Sequence, residues 1–213
     1  MKNDTSSRRY FVLGPNANVS DLSNLAVTVD AYRNFIFGKL DPFDKEISAN
    51  KYGRDILTAW KETYTSLKRI EAAGRSIEGL EIIWKVRSGS LVAAMMLVLL
   101  AMVAITMGLS GWIFYGAFYA ALIMLTLSGA MSYLSSRRMN SYQRLHAAEH
   151  SADIAHIKDF VQQLLNSLSR QFRVSKINPA KYPLGLYNAD YKGIHVEKRP
   201  GFRRTYEVLI EVR

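Results

Sequence analysis

Residues 88–136 read SGSLVAAMMLVLLAMVAITMGLSGWIFYGAFYAALIMLTLSGAMSYLSS, a run with no Asp, Glu, Lys, Arg or His. Nothing so long and so free of charge belongs to an ordinary soluble domain. At 1.5 Å of rise per residue, about 20 apolar residues cross a hydrocarbon core of about 30 Å. The run divides near Gly108-Leu109-Ser110-Gly111. Its first half, 90–109, is rich in Leu, Met, Ala and Val; its second, 112–134, carries Trp112, Phe114, Tyr115, Phe118, Tyr119 and Tyr133. Each half is long enough to span, and the link is too short for a domain. The sequence therefore predicts two antiparallel transmembrane helices joined by a tight turn. Trp112 and Tyr115 near the turn, and Trp84 and Tyr133 near the other surface, suit interfacial aromatic belts.

Charge lies only outside this block. Residues 1–87 hold 14 basic and 11 acidic side chains, and residues 137–213 hold 14 basic and seven acidic, within a chain of 213 residues and formal net charge +10. Lys85 and Arg87 precede the first span, and Arg137 and Arg138 follow the second, while the turn is uncharged. The positive-inside rule then places both termini in the cytoplasm, or in the equivalent compartment of an organelle. A bacterial or archaeal inner membrane is the expected location. The opening residues show no apolar core of a signal peptide, so none is expected. The absence of cysteine excludes a disulfide scaffold and a cysteine-ligated zinc site.

Small residues four apart recur on both spans: Gly89/Ala93 and Ala104/Gly108, then Gly116/Ala120 and Ala117/Ala121. Such stripes let helix backbones approach closely, within one hairpin or between hairpins. Ala104, Gly108, Gly116 and Ala120 are the candidate packing residues. Thr106, Thr126, Ser128 and Ser132 are hydroxyls at membrane depth, where they usually bond their own helix. No ionisable group lies there, which argues against a proton relay, a voltage sensor or a coupled transporter.

The polar parts have their own periods. Arg9–Leu13 reads as a strand ending at Gly14-Pro15. Ser20 is the expected N-cap for a helix with Leu22, Leu25, Val29, Tyr32 and Ile36 on one side, which Asp41-Pro42 ends. A second helix starts near Asn50, with Ile56, Trp60, Tyr64, Leu67 and Ile70 as its apolar stripe; Leu80, Ile83 and Trp84 resume the pattern into the first span. After the second span, residues 135–175 read as one long helix. Ile154, Ile157, Val161, Leu164, Leu168 and Phe172 form a seam resembling a coiled coil, with a partner either in this chain or in another subunit. Beyond Asn178-Pro179 the period becomes two. Gly193–Glu197 and Tyr206–Val212 read as strands, and Arg199-Pro200-Gly201-Phe202 has the chemistry of a type II turn. A lone hairpin is marginal in water, and residues 10–13 would supply a third strand. The domains so drawn are 1–87, strand and helices; 88–136, the two-span hairpin; 137–175, an amphipathic helix; and 176–213, a β-hairpin.

Three features bear on chemistry. His146-Ala147-Ala148-Glu149-His150 matches the H-x-x-E-H pattern of inverted zincins, which on a helix would present both imidazoles from one face. The plainer reading is a polar face shared by His146, His150, Asp153 and His156, and no metal or cofactor is expected. Lys198, Arg199, Arg203 and Arg204, with Lys192 nearby, make a basic tail turn suited to anionic lipid headgroups. No P-loop, G-x-G-x-x-G, G-x-S-x-G or RNA-binding motif occurs, so neither an enzyme nor a nucleic-acid partner is expected.

A helix ending in basic residues, two spans with a minimal turn and a following helix bearing His and Ala resemble the SLATT class of two-transmembrane domains. The matching stretch is roughly Trp60–Leu168, with Tyr142, His146, Ala147, Ala148, His150 and Ala152 on the post-membrane helix. The resemblance implies a membrane-perturbing or pore-forming effector of prokaryotic conflict systems. In topology alone, the uncharged hairpin is also similar to chlamydial inclusion membrane proteins.

The sequence thus predicts a mainly α integral membrane protein: a two-helix transmembrane hairpin, a cytoplasmic helical bundle and a small C-terminal β-hairpin. The expected role is a non-enzymatic structural or assembly subunit of a membrane complex. Its expected partners are the bilayer, further copies of itself or other subunits. The alternative is a self-oligomerising, pore-forming effector.

Overall fold

The computed structural model describes residues 10–108, 111–200 and 204–212. Helices α1 (Val19–Tyr32), α2 (Asp41–Ser48), α3 (Arg54–Arg75), α4 (Leu80–Thr106), α5 (Gly111–Leu145) and α6 (Ser151–Val174) are followed by strands β1 (Leu184–Leu186), β2 (Ile194–Lys198) and β3 (Tyr206–Ile210). The protein is mainly helical with one small sheet. It divides into two units, residues 1–72 with 146–213, and residues 73–145. The divisions fall short of residue 87 and beyond residue 136. The reason is that α4 starts seven residues before the last charge, Arg87, and α5 runs on past Arg137 and Arg138.

In the unit of residues 73–145, α4 and α5 pack as an antiparallel pair. The buried positions of α4 are Leu80, Ile83, Ser90, Ala94, Ala101 and Ala104; those of α5 are Ala117, Ala121, Ser128 and Ser135. Spacings of three, four and seven residues make this a heptad-type seam. Ala and Ser fill most of it, so the backbones approach closely. Gly79 and Gly108 take left-handed conformations, φ +72° and +61°, which start α4 and turn the chain after it.

In the other unit, Leu22, Leu25 and Val29 of α1, Ile56, Trp60, Leu67 and Ile70 of α3, and Ile157, Val161, Leu164, Leu168 and Phe172 of α6 are buried. Trp60 and Phe11 pack their rings against Phe160, at centroid distances of 5.8 and 5.4 Å. The sheet has the order β1-β3-β2, antiparallel throughout. Val196 faces Val208 and Leu186 faces Tyr206, with a bulge between Val196 and Lys198. The buried residues Leu184, Leu186, Val208 and Ile210 form the face covered by helices. β1 lies against α1, and β3 against α6.

Several sequence expectations are corrected. Residues 10–13 form no strand. Phe11 N–H donates to Ser167 Oγ (2.8 Å), Val12 N–H to Asp55 Oδ2 (2.9 Å) and Gly14 N–H to the Tyr52 carbonyl (2.8 Å), so α6, α3 and the α2–α3 connection, not a strand, satisfy this segment. The third strand is β1, whose three residues are too few to show a period. The N-cap of α1 is Asn18, not Ser20: its Oδ1 accepts from Asp21 N–H at 2.7 Å. α1 stops at Tyr32, and Asp41-Pro42 opens α2 instead of closing α1, because proline is favoured in a first turn. Asn50, at φ +56°, follows the end of α2, so α3 begins only at Arg54. The single helix over 135–175 is broken: α5 ends at Leu145 and α6 begins at Ser151. The tail turn reaches Gly201 and Phe202, which lie outside the described residues.

Candidate functional site

α4 and α5 are both long and apolar enough to cross a membrane. Their most apolar windows are only 22% and 17% buried within the chain. Most of each window thus faces away from the rest of the chain; Met95, Met96, Ile105, Ile123 and Tyr119 all stand outward. Several polar side chains turn the other way or bond locally. Ser90, Ser128 and Ser135 are buried in the seam. Thr106 and Thr126 donate to the carbonyls of Val103 (3.0 Å) and Leu122 (2.8 Å) on their own helices. Trp84 Nε1 donates to Ser135 Oγ at 3.0 Å, and Arg138 Nη1 to the Glu78 carbonyl at 2.6 Å.

The candidate packing residues separate. Ala104 is buried in the seam, whereas Gly108 is exposed in the turn. Gly116 is exposed, and a Cβ added there meets nothing within 4 Å. Ala120 is half-buried. The inner stripe of α5 is thus Ala117/Ala121, and the Gly116 stripe faces out.

Of the bundle seam, Ile157, Val161, Leu164 and Leu168 are fully buried and Ile154 half-buried, all within this one chain. Of the tail cations, Lys198 pairs with Glu207 at 2.9 Å. Arg199 and Arg204 are exposed, and Arg203 lies outside the described residues. His146, Glu149 and His150 sit in the turn between α5 and α6. The one-face geometry of the zinc pattern is therefore missing there. Among the described residues no cluster of three His, Asp or Glu side chains suits a metal.

A dense polar cluster among the described residues lies outside the sequence expectations. Asp30, fully buried on α1, accepts from Tyr187 N–H (2.6 Å), Asn188 N–H (3.1 Å), Asn188 Nδ2 (2.8 Å) and Tyr191 OH (2.6 Å). One turn on, Arg33 forks onto Asp190 through Nη1–Oδ1 and Nη2–Oδ2, both 2.8 Å, and Nη1 also donates to Tyr191 OH at 2.8 Å. Lys158 of α6 donates to Asp190 Oδ2 at 2.7 Å. Burial opposes the Arg33 charge, but the bonds to Asp190 and Tyr191 outweigh it and raise its pKa. The same Arg33 bonds, opposed by burial and joined by Lys158, hold the Asp190 carboxyl well below the usual carboxylate range. Burial, with the Asp30 charge, pushes the Tyr191 phenol up. A doubly held, charge-assisted network of this kind fixes geometry. It clamps the loop after β1 to α1 and α6 and so positions the sheet. The available signal was that Asp30 falls on the α1 face made apolar by Leu22, Leu25, Ala26 and Val29, with Arg33 three residues on.

A shallow cleft of about 480 Å³ lies between α3 and α6, lined by Glu62, Thr65, Ser66, Arg69, Asp153 and His156. Arg69 and Asp153 pair across it at 3.4 Å. Among the described residues no hydrogen bond joins the Thr65 or Ser66 hydroxyl to His156. Comparison of the chain with protein-family models, with curated proteins and with solved structures finds no match to any of them.

Proposed function

We propose that this protein is a non-enzymatic, membrane-anchored structural or assembly subunit. Its α4–α5 hairpin lies in the bilayer with both termini in the cytoplasm, and the unit of residues 1–72 and 146–213 docks partner proteins. The observation that carries the reading is the outer surface of the hairpin beyond its basic base: it is predominantly apolar, while the serine side chains at 90, 128 and 135 are turned into the seam. A bilayer covers such a surface without further partners. An anchor is favoured over a SLATT-like pore because the outward threonines, Thr106 and Thr126, spend their hydroxyls on carbonyls of their own helices. The soluble unit adds to this, since its α6 seam is filled within the chain rather than reserved for another copy.

The test is the native mass of the full chain in nanodiscs, together with conductance in planar bilayers. A non-conducting monomer is expected. A defined homo-oligomer that conducts overturns the reading in favour of the pore-forming effector.

A further inference from the structure

The Trp84–Ser135 hydrogen bond sets the register at the base of the hairpin. Counted from it, Arg87 lies level with Ser132, and Arg137 level with Ile82. Lys85, Arg87, Arg137 and Arg138 therefore share a band about 9 Å deep, at 1.5 Å per residue. Two of these cations are engaged: Lys85 with Glu81 at 2.7 Å, and Arg138 with the Glu78 carbonyl. Arg87 and Arg137 are exposed, and among the described residues neither guanidinium has a hydrogen-bond or ion-pair partner. Exposed apolar side chains interleave with them, Ile82 and Val86 on α4 and Tyr133 and Leu134 on α5. Basic and apolar groups at one depth, directly below an uncharged span, match the boundary between acyl chains and headgroups.

We propose that Arg87 and Arg137 form a binding site for anionic phospholipid headgroups at the base of the hairpin. Guanidinium groups suit this ligand because they grip phosphate oxygens in pairs. The inference rests on the hairpin lying in a bilayer, and its test separates the two claims.

Trp84 is a built-in reporter, one helical turn from Arg87. The full chain carrying Trp112→Phe is reconstituted into phosphatidylcholine vesicles with a small fraction of brominated lipid, either phosphatidylglycerol or phosphatidylcholine. Trp60 is buried in the other unit, and its emission is subtracted with a Trp84→Phe control. At equal mole fraction, brominated phosphatidylglycerol is expected to quench Trp84 more strongly, as for an enrichment of about fivefold, the equivalent of about 1 kcal/mol for one basic residue at a bilayer surface. Arg87→Gln with Arg137→Gln should make the two lipids equal, and the paired lysine substitutions should keep the difference. Equal quenching of the unaltered site by both lipids overturns the headgroup site and leaves the anchor standing. No quenching by either lipid overturns both.

Discussion

Arg33 and Asp190 are 157 residues apart in sequence, yet they meet through two parallel hydrogen bonds of 2.8 Å, with Asp30 behind them accepting four more. Asp30 also lies 3.6 Å from Arg33 Nη1, and removing one member of a buried, hydrogen-bonded ion pair costs about 3–5 kcal/mol. Asp30→Ala should destabilise the unit of residues 1–72 and 146–213 by that order. It leaves the Tyr191 hydroxyl and the Tyr187 and Asn188 donors without their acceptor. Chemical unfolding, followed by near-UV circular dichroism, measures the loss.

The pH dependence follows from Asp190. Its folded-state pKa is depressed, so the unfolded chain binds the proton more readily. The stability it contributes is complete above the unfolded-state value of about 4 and is lost as pH falls through the lower folded-state value. Asp190→Asn should therefore lower the unfolding midpoint by a constant amount from neutral pH down to about pH 5. The gap to the wild-type chain should close in more acidic buffer. A gap that widens below pH 4 would refute this linkage.

The two small-residue stripes of α5 should respond differently to leucine. Ala121 is buried against α4, so Ala121→Leu overpacks the seam at about 1–3 kcal/mol. Gly116 has open space around it, so Gly116→Leu should leave the isolated hairpin intact. Unfolding in micelles, read through Trp84, compares the two.

Gly79 offers a local test at the start of α4. It is held at φ +72°, and a Cβ there would meet the Arg138 guanidinium. Gly79→Ala should cost about 1 kcal/mol or more through the backbone alone. It should also displace Arg138 from the Glu78 carbonyl, which thermal unfolding of the Gly79→Ala and Gly79→Ala/Arg138→Gln chains would separate.

What the sequence disclosed was what depends on local period and length. The uncharged run of residues 88–136 announces two helices because helix rise and charge content are properties of the chain itself. The alternation of Tyr206, Val208 and Ile210 announces β3 for the same reason. The errors lie where tertiary partners decide. Phe11–Leu13 has strand composition, but its amides find Ser167 and Asp55 on helices. Residues 146–150 carry no proline or glycine, yet the helix stops there. Leu184–Leu186 becomes a strand only because β3 is beside it. The Asp30–Arg33–Asp190–Tyr191 cluster joins residues so distant in sequence that only the i, i+3 pair on α1 was visible. The seam of α4 was legible in principle, since Ser90, Ala94, Ala101 and Ala104 recur with the heptad. Small side chains, however, give a weak hydrophobic signal.

The central claim is that the α4–α5 hairpin crosses a bilayer twice with both ends of the chain on one side. The chain has no cysteine, so single substitutions report cleanly. Ser20→Cys, Gly111→Cys and Arg204→Cys would each be treated with a membrane-impermeant maleimide, in intact and in permeabilised cells. The account predicts that Gly111→Cys is labelled from outside intact cells, while Ser20→Cys and Arg204→Cys react only after permeabilisation. Labelling of all three on the same side, or of Ser20→Cys and Arg204→Cys on opposite sides, would contradict it.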